Sequence, residues 1–244
     1  MAHSMFRLLL AQAAGGGGGD VTTGMFWWYD AQALSGYANG DPVASWPDSS
    51  GNSRTATQDQ GTSAWQPTYT TGAIHTHPAV RFQSFGGNGR GFSMPGTFNP
   101  SEAHLFIVAR PESNSPPYHI GSISFGPTFP ATVDGTGTIT DHFGSNSSRS
   151  VGAAGVDTTA GFIYHAHAAS GLWEAHVGNS LLYTNATNTV TWGVQKLGAY
   201  LSGGSFNTEF LGYIGEFRVY DSALTGTQVT NITNALGTKW GITP

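Results

Sequence analysis

Histidines in spaced pairs and a handful of carboxylates are the side chains here with the chemistry to hold or act on a ligand. His75-x-His77 and His165-x-His167 are i, i+2 pairs, a spacing that sets both imidazoles on one face of an extended strand, and His176 follows on the next apolar run. Imidazoles placed like this bind zinc or another divalent ion, so His165, His167 and His176 are candidate ligands. The first pair stands just ahead of Pro78, which favours a loop over a strand there. The competing reading for all of these residues is a polar sheet face of hydrogen-bonding rings. Glutamate is sparse: Glu102, Glu112, Glu174, Glu209 and Glu216 are the five, and none has a second acid two or four residues away in a predicted strand. Retaining glycoside hydrolysis needs two carboxyl groups about 5 Å apart, so the spacing argues against it, and Glu216 is read as a structural or rim acid.

Sugar binding asks for a flat aromatic face beside planar polar groups. Trp65 and Trp192, set among Ser, Gln, Thr and Gly, are the candidate platforms, with Tyr118 beside them. The competing reading for each tryptophan is core, and it is the commoner one, because a sandwich of this size needs large apolar side chains between its sheets.

The elements that must position these groups read as β throughout. From Gly24 onward, short apolar or alternating runs are split by Gly, Pro, Asn and Ser at close intervals, the pattern of a sandwich or barrel. Strands are predicted at Met25 to Tyr29, Ala79 to Phe82, His104 to Ala109, Ile120 to Phe125, Gly161 to Ala168, Leu172 to Val177, Lys196 to Tyr200 and Phe210 to Tyr220. Strict alternation in the last of these puts Tyr213, Gly215, Phe217 and Val219 on one side and Ile214, Glu216, Arg218 and Tyr220 on the other. One helix is predicted over Thr225 to Leu236, capped by Thr225 and stopped by Gly237. The stretches Pro127 to Gly137 and Gly144 to Thr159 read as insertions able to carry specificity.

With 244 residues a single domain buries enough surface to dispense with metals and disulfides, and the chain has no cysteine. Charged residues make up 9% of the chain, against about 25% in an ordinary soluble domain. A surface of Ser, Thr, Asn and Gly stays wet without charge, a composition suited to extracellular and virion β-proteins. The net charge of -5 removes the basic footprint of a nucleic-acid binder, and no run approaches the ~20 apolar residues of a membrane span. Residues 1–23 read as an arm on a tether, and residues 24–244 as the sandwich. The apolar stretch Leu8 to Ala11 is shorter than a signal-peptide core of about 7–15 residues. Met5, Phe6, Leu8, Leu9 and Leu10 are therefore read as an assembly arm joined through Gly15 to Gly19, or as a segment that folds back on its own sheet.

Several motifs carry a resemblance. Phe26-Trp27-Trp28-Tyr29-Asp30, Val43 to Asn52 with its Trp46-Pro47-Asp48-Ser49-Ser50-Gly51-Asn52 turn, Pro78 to Phe82, His104 to Arg110, Leu197 to Tyr200, Tyr213 to Leu224 and Ala235 to Gly241 together resemble the laminin-G-like, concanavalin A-like lectin/glucanase domains of bacteria and bacteriophages. The resemblance spans roughly Phe26 to Ile242. It implies an all-β jelly-roll sandwich of two antiparallel sheets with one short C-terminal helix. It also implies a calcium option at a rim loop, where Asp48 and Asn52, with Asp221, are the oxygen ligands on offer. Turn capping is the alternative for all three. The Glu-x-Asp-x-Glu pattern of the family's glucanases is absent.

The first expectation for function is a non-catalytic structural protein of a bacteriophage virion, a capsid decoration protein or a head or tail accessory fibre. It would form a homo-oligomer and dock on a major capsid or other virion protein through the arm. The alternative is a secreted or virion-borne carbohydrate-binding module for surface glycans. A glycan hydrolase comes third, and would need a distant acid to meet Glu174 or Glu216.

Overall fold

A computed structural model describes residues 19–58, 66–85, 88–89, 91–112, 118–119, 121–122, 132–133, 138–145, 147, 149–193, 195–202 and 205–244. The expected sandwich is present. Its larger layer is an eight-stranded antiparallel sheet built from β1 (Met25–Asp30), β2 (Thr68–Ile74), β3 (His77–Phe82), β4 (Glu102–Pro111), β5 (Phe162–Ala169), β6 (Leu172–Val177), β7 (Ser180–Asn185) and β8 (Gly212–Tyr220). Seven strands run in the order β7, β6, β5, β4, β8, β3, β2, and β1 joins β8 along the same edge as β3. Facing it is a five-stranded sheet of short strands at Gly121–Ser122, Lys196–Leu197, Phe92–Ser93, Ala56–Gln58 and Ser45–Trp46. A third sheet, of four strands, contains Thr138–Asp141 and Arg149–Ala153.

Aromatic rings fill the space between the layers. Tyr29, stacked on Phe217 in the large sheet, meets Trp46 from the small one, and Phe82 packs edge-on against Phe92 at 5.9 Å. A second run passes from Trp27 through Phe98 and Trp192 to Phe143. Burying rings of this size adds to the core energy of aliphatic residues such as Leu105, Ile107 and Val219.

Several strands extend beyond their predicted ends, and Lys196 to Tyr200 divides into two, Lys196–Leu197 and Ala199–Ser202. Of Ile120 to Phe125, only Gly121–Ser122 lies within the described residues. The segment Gly144 to Thr159 is not a plain loop: it holds the strand Arg149–Ala153 and the start of a short 3-10 turn, Thr158–Ala160. His75 lies in the turn that joins β2 to β3, with φ at 50°, while His77 begins β3 and packs against Trp240. That pair of histidines therefore shares no strand face.

Helix α1 (Gly226–Trp240) is longer than predicted. Thr225 caps it as expected: its side chain accepts from the Gln228 amide, and Gln228 returns the bond to the cap. Gly237 does not end the helix. It is a buried helical position against which residues 242–244 fold back, and the stop is Gly241, which takes the left-handed conformation (φ 66°) that a C-terminal cap requires. Ile232, Leu236 and Trp240 form the buried stripe.

Alternation in β8 is broken by a bulge. Ile214 pairs with Ala109 and Glu216 with Val108, so Gly215 is the extra residue. It faces Trp240, as Glu216 does, whereas Phe217 points into the inter-sheet core. A Cβ at position 215 would lie 2.6 Å from the Trp240 ring. Gly215→Ala is therefore expected to lower stability by about 1–3 kcal/mol, read as a drop in urea midpoint, with an unchanged midpoint refuting this packing.

Candidate functional site

Glu216 is fully engaged. One carboxylate oxygen accepts from Trp28 Nε1 (2.7 Å) and Arg218 Nε (2.7 Å), the other from Lys239 Nζ (2.7 Å) and Trp240 Nε1 (2.8 Å). Arg218 also reaches Asp20 (2.6 Å), and Lys239 also reaches Asp30 (2.7 Å). Burial by itself would raise the Glu216 carboxyl, but Arg218 and Lys239 hold it below the usual range. The acid is structural, as expected. Asp20 and the Val21 carbonyl, which accepts from Tyr220, pin the last residues of the predicted tether to β8. The arm residues Met5, Phe6, Leu8, Leu9 and Leu10 lie outside the described residues.

Of the predicted calcium residues, Asp48 and Asn52 serve the fold, and Asp221 is exposed just after β8. Asp48 accepts from the amides of Trp28, Ser50 and Arg54 and from the Ser50 hydroxyl, so both oxygens are committed to the turn. The Asn52 carboxamide donates to the carbonyls of Met25 and Phe26, clamping β1. Among the predicted sugar platforms, Trp192 is only 8% exposed and donates to the Pro100 carbonyl while packing on Phe98 and Phe143. It is a core residue, because its ring joins the aromatic run of Phe98 and Phe143 between the layers. Trp65 and the Tyr118 side chain lie outside the described residues; the Tyr118 backbone belongs to a strand of the four-stranded sheet.

The predicted histidines of β5 and β6 lie together on one sheet face. Cross-strand register sets Tyr220, His104, His167 and Glu174 in one row across β8, β4, β5 and β6, with Arg218, Phe106, His165 and His176 in the next. Four imidazoles thus share the outer face of the sheet, beneath the start of α1. His165 is buried, stacked on Phe106 at 4.4 Å and near His176 at 5.0 Å. The three ligand-bearing groups that converge are not His165, His167 and His176 but Glu102, His104 and His167. Glu102-x-His104 has the same i, i+2 spacing that marked the other histidines, yet only pairing of β4 with β5 reveals that it meets them.

Hydrogen bonds fix the rings. The Leu224 amide donates to His104 Nε2 (3.2 Å), so the proton of neutral His104 sits on Nδ1 and is donated to His165 Nε2 (3.1 Å). His167 Nε2 lies 2.9 Å from Glu102 and its Nδ1 3.5 Å from Glu174. A cavity of about 320 Å³, lined by these histidines, Glu174, Asn179 and Thr230, opens between the sheet and α1.

A second concavity, of about 240 Å³, lies at the rim and is lined by Ser145, Ser147, Arg149, Thr187, Asn188 and Thr189. Arg149 donates to Ser145 Oγ, the Thr187 carbonyl and Asn188 Oδ1, and lies over the Trp173 ring at 5.2 Å. Asn188 is held in turn by the carbonyls of Gly144 and Ala169. Tyr183 borders this group, its phenol drawn below the ordinary value by hydrogen bonding from Asn185 against the opposing effect of burial, with Arg149 adding to the lowering. Ser145, Ser147 and Arg149 all belong to the predicted specificity insertion.

No family model matches the chain, and no curated protein matches it. Solved structures do. Trypanosoma rangeli sialidase in complex with 2,3-difluorosialic acid superposes with a TM-score of 0.60 at 13% identity, over 97% of this chain and 36% of that one. The binding domain of botulinum neurotoxin DC, solved with rat synaptotagmin II, gives 0.57 at 10% identity, over 89% and 52%. Domain 4 of an extracellular arabinanase from Geobacillus stearothermophilus, in complex with arabinotriose, gives 0.53 at 17% identity, over 86% and 98%. The chain thus spans about a third of the sialidase and about half of the toxin domain. At these identities the likeness establishes a shared β-sandwich fold.

Two outcomes are expected. Glu216→Gln leaves the buried Arg218 and the half-buried Lys239 facing a neutral amide and should cost about 3–5 kcal/mol, measured by urea unfolding; a cost below about 1 kcal/mol would sink the network reading. Burial, with neighbouring imidazoles, lowers His104 from 6.5 to about 3, and burial with Arg149 lowers His142 from 6.5 to about 4. The unfolded chain thus takes up protons below pH 6.5 that the folded chain refuses, and stability present above 6.5 should drain as pH falls toward 4. Urea midpoints in chelator between pH 7.5 and 4.5 test this, and a flat profile would contradict it.

Proposed function

We propose that this chain is a carbohydrate-binding module whose sugar contacts are made at the Arg149 groove. The observation that carries the reading is a rim concavity of hydroxyls and a carboxamide, set around a guanidinium that is fixed by Ser145, Thr187 and Asn188 and backed by Trp173. Such donors, held in place before a ligand arrives, bind sugar hydroxyls at little cost in ordering. At about 240 Å³ the groove is smaller than the roughly 300–1,000 Å³ of drug-sized pockets and suits one or two rings of a longer glycan lying along the surface. The fold neighbours support the same reading: one is solved with a sialic acid analogue and another with arabinotriose, and a third structure of the fold concerns ganglioside interaction by botulinum neurotoxin type C.

Binding without catalysis is part of the proposal. Glu216 has no oxygen to spare, and the other acids close to one another, Glu102 and Glu174, stand on either side of the His167 ring rather than facing an open glycan cleft. A virion setting would dock the arm of Met5, Phe6, Leu8, Leu9 and Leu10 on a shell protein. It rests on composition and on the arm, and nothing in the comparisons points to it.

The test is a glycan array containing arabino-oligosaccharides, sialylated glycans and bacterial polysaccharide fragments, probed with the full chain, with a chain starting at Asp20, and with Arg149→Ala. Arg149→Ala should reduce binding of any glycan hit at least about tenfold, while the shortened chain binds as the full chain does. Hits that survive Arg149→Ala would move the site elsewhere, and an array without hits would end the proposal.

A further inference from the structure

We infer that Glu102, His104 and His167 form a zinc site, with zinc held by Glu102 Oε1, His104 Nε2 and His167 Nε2 and a fourth position open to the cavity beneath α1. This rests on the geometry of the histidine cluster and not on the glycan reading. The three donor atoms lie within 4.8 Å of one another, with His167 Nε2 2.9 Å and His104 Nε2 3.8 Å from the same carboxylate oxygen. Zinc bound by two imidazoles and a carboxylate has bonds of about 2.0–2.2 Å, so its ligands sit closer together than most of these and only a small inward movement is needed.

What separates this cluster from a chance meeting of polar residues is the state of the opposite ring nitrogens. A metal-bound imidazole normally donates its remaining N–H to a fixed acceptor, which sets the tautomer and aims the lone pair. His104 meets that condition. His104 Nδ1 donates to His165 Nε2 (3.1 Å), His167 Nδ1 lies at ion-pair range from Glu174 (3.5 Å), and both rings present Nε2 to Glu102 on the other side. The rings are nearly parallel, with centroids 4.0 Å apart and planes 10° apart, which brings the two Nε2 atoms to the same edge.

The backbone supports the same arrangement. Residues 102 and 104 share one face of β4, and register sets His167 directly opposite His104 on β5. Two central strands of the sheet thus supply all three ligands, and a site on strands is held more tightly than one on loops. The Leu224 amide now donates to His104 Nε2 (3.2 Å), and zinc would replace that bond. The cavity of about 320 Å³ then gives the open coordination position access to water or to an oxygen of a bound ligand. His165 and His176 act here as supporting rings: His165 Nε2 faces His104, and the His165 Nδ1 is buried without a partner among the described residues.

The experiment uses the full chain stripped with chelator, then titrated with zinc chloride by calorimetry and with cobalt chloride by visible absorption. One zinc per chain is expected, together with the d–d bands of four-coordinate cobalt. Glu102→Gln, at a half-buried side chain, and His167→Gln, at a buried one, should each weaken zinc binding at least about a hundredfold, and Glu174→Gln, a second-sphere change, about 10–100-fold. Near-UV circular dichroism checks that each variant is folded, and glycan binding at the Arg149 groove should be the same in all three. Failure to bind zinc, or zinc binding that Glu102→Gln and His167→Gln leave intact, overturns the site.

Discussion

A carboxylate that is 1% exposed remains charged only if donors surround it, and around Glu216 those donors come from three separate parts of the chain. Trp28 comes from β1, Arg218 from β8 itself, and Lys239 and Trp240 from the last turn of α1. Arg218 is 1% exposed as well, and completes its own set with Asp20 from the chain leading into the sandwich. Buried ion pairs add little net stability because desolvation offsets the attraction. Their effect is selective: only one placement of the helix, the first strand and the lead-in segment meets every charge. The bulge at Gly215 belongs to the same arrangement, since it turns β8 so that a residue without a side chain meets the Trp240 ring while Glu216 reaches its nitrogen.

With α1 held there, the polar outer face of the large sheet becomes a lined space rather than an open surface. The N-terminal end of the helix and the preceding Leu224 roof the rows of His104, His167 and Glu174 and of His165 and His176. Burial keeps His104 and His165 neutral, and neutral rings in fixed tautomers have defined lone pairs. The Arg149 groove is organised differently. It lies where the four-stranded sheet meets β7 and the turn after it, and its guanidinium is anchored by main-chain and side-chain acceptors from both. The molecule therefore carries two polar sites of different chemistry, one of nitrogen and carboxylate donors on rigid strands and one of hydroxyls and amides at a rim.

Local pattern sufficed for much of the fold. Alternating apolar runs bounded by Gly, Pro and Asn located most of the large-sheet strands, Thr225 and Gln228 marked the helix start, and the Asp48 turn was legible because its side chains bond within their own neighbourhood. The strands Thr68–Ile74 and Ser180–Asn185 were not foreseen, because their Thr, Tyr and Asn content reads as loop until a paired neighbour satisfies the backbone. The end of the helix at Gly241 rather than Gly237 was hidden for a related reason: Gly237 is needed for the close return of the chain at Pro244, a contact with no local sign.

Function was less legible. Histidines at i, i+2 announce a shared face, and His165, His167 and His176 do share one, but spacing within a strand says nothing of what the adjacent strand sets opposite. Glu102 and His104 entered the cluster through the pairing of β4 with β5, some sixty residues away in sequence. Trp192 stood among small polar residues like a surface platform, yet the fold carried it into the core beside Phe98 and Phe143. The Arg149 groove drew its residues from two distant segments, of which only the first had been marked for specificity. Composition and short-range periodicity determined that this chain is low in charge, all-β and closed by one helix, because those properties depend on neighbours within a few residues. Which polar side chains meet, and which tryptophans stay dry, depended on register and layer packing between remote segments, and only the tertiary structure decided it.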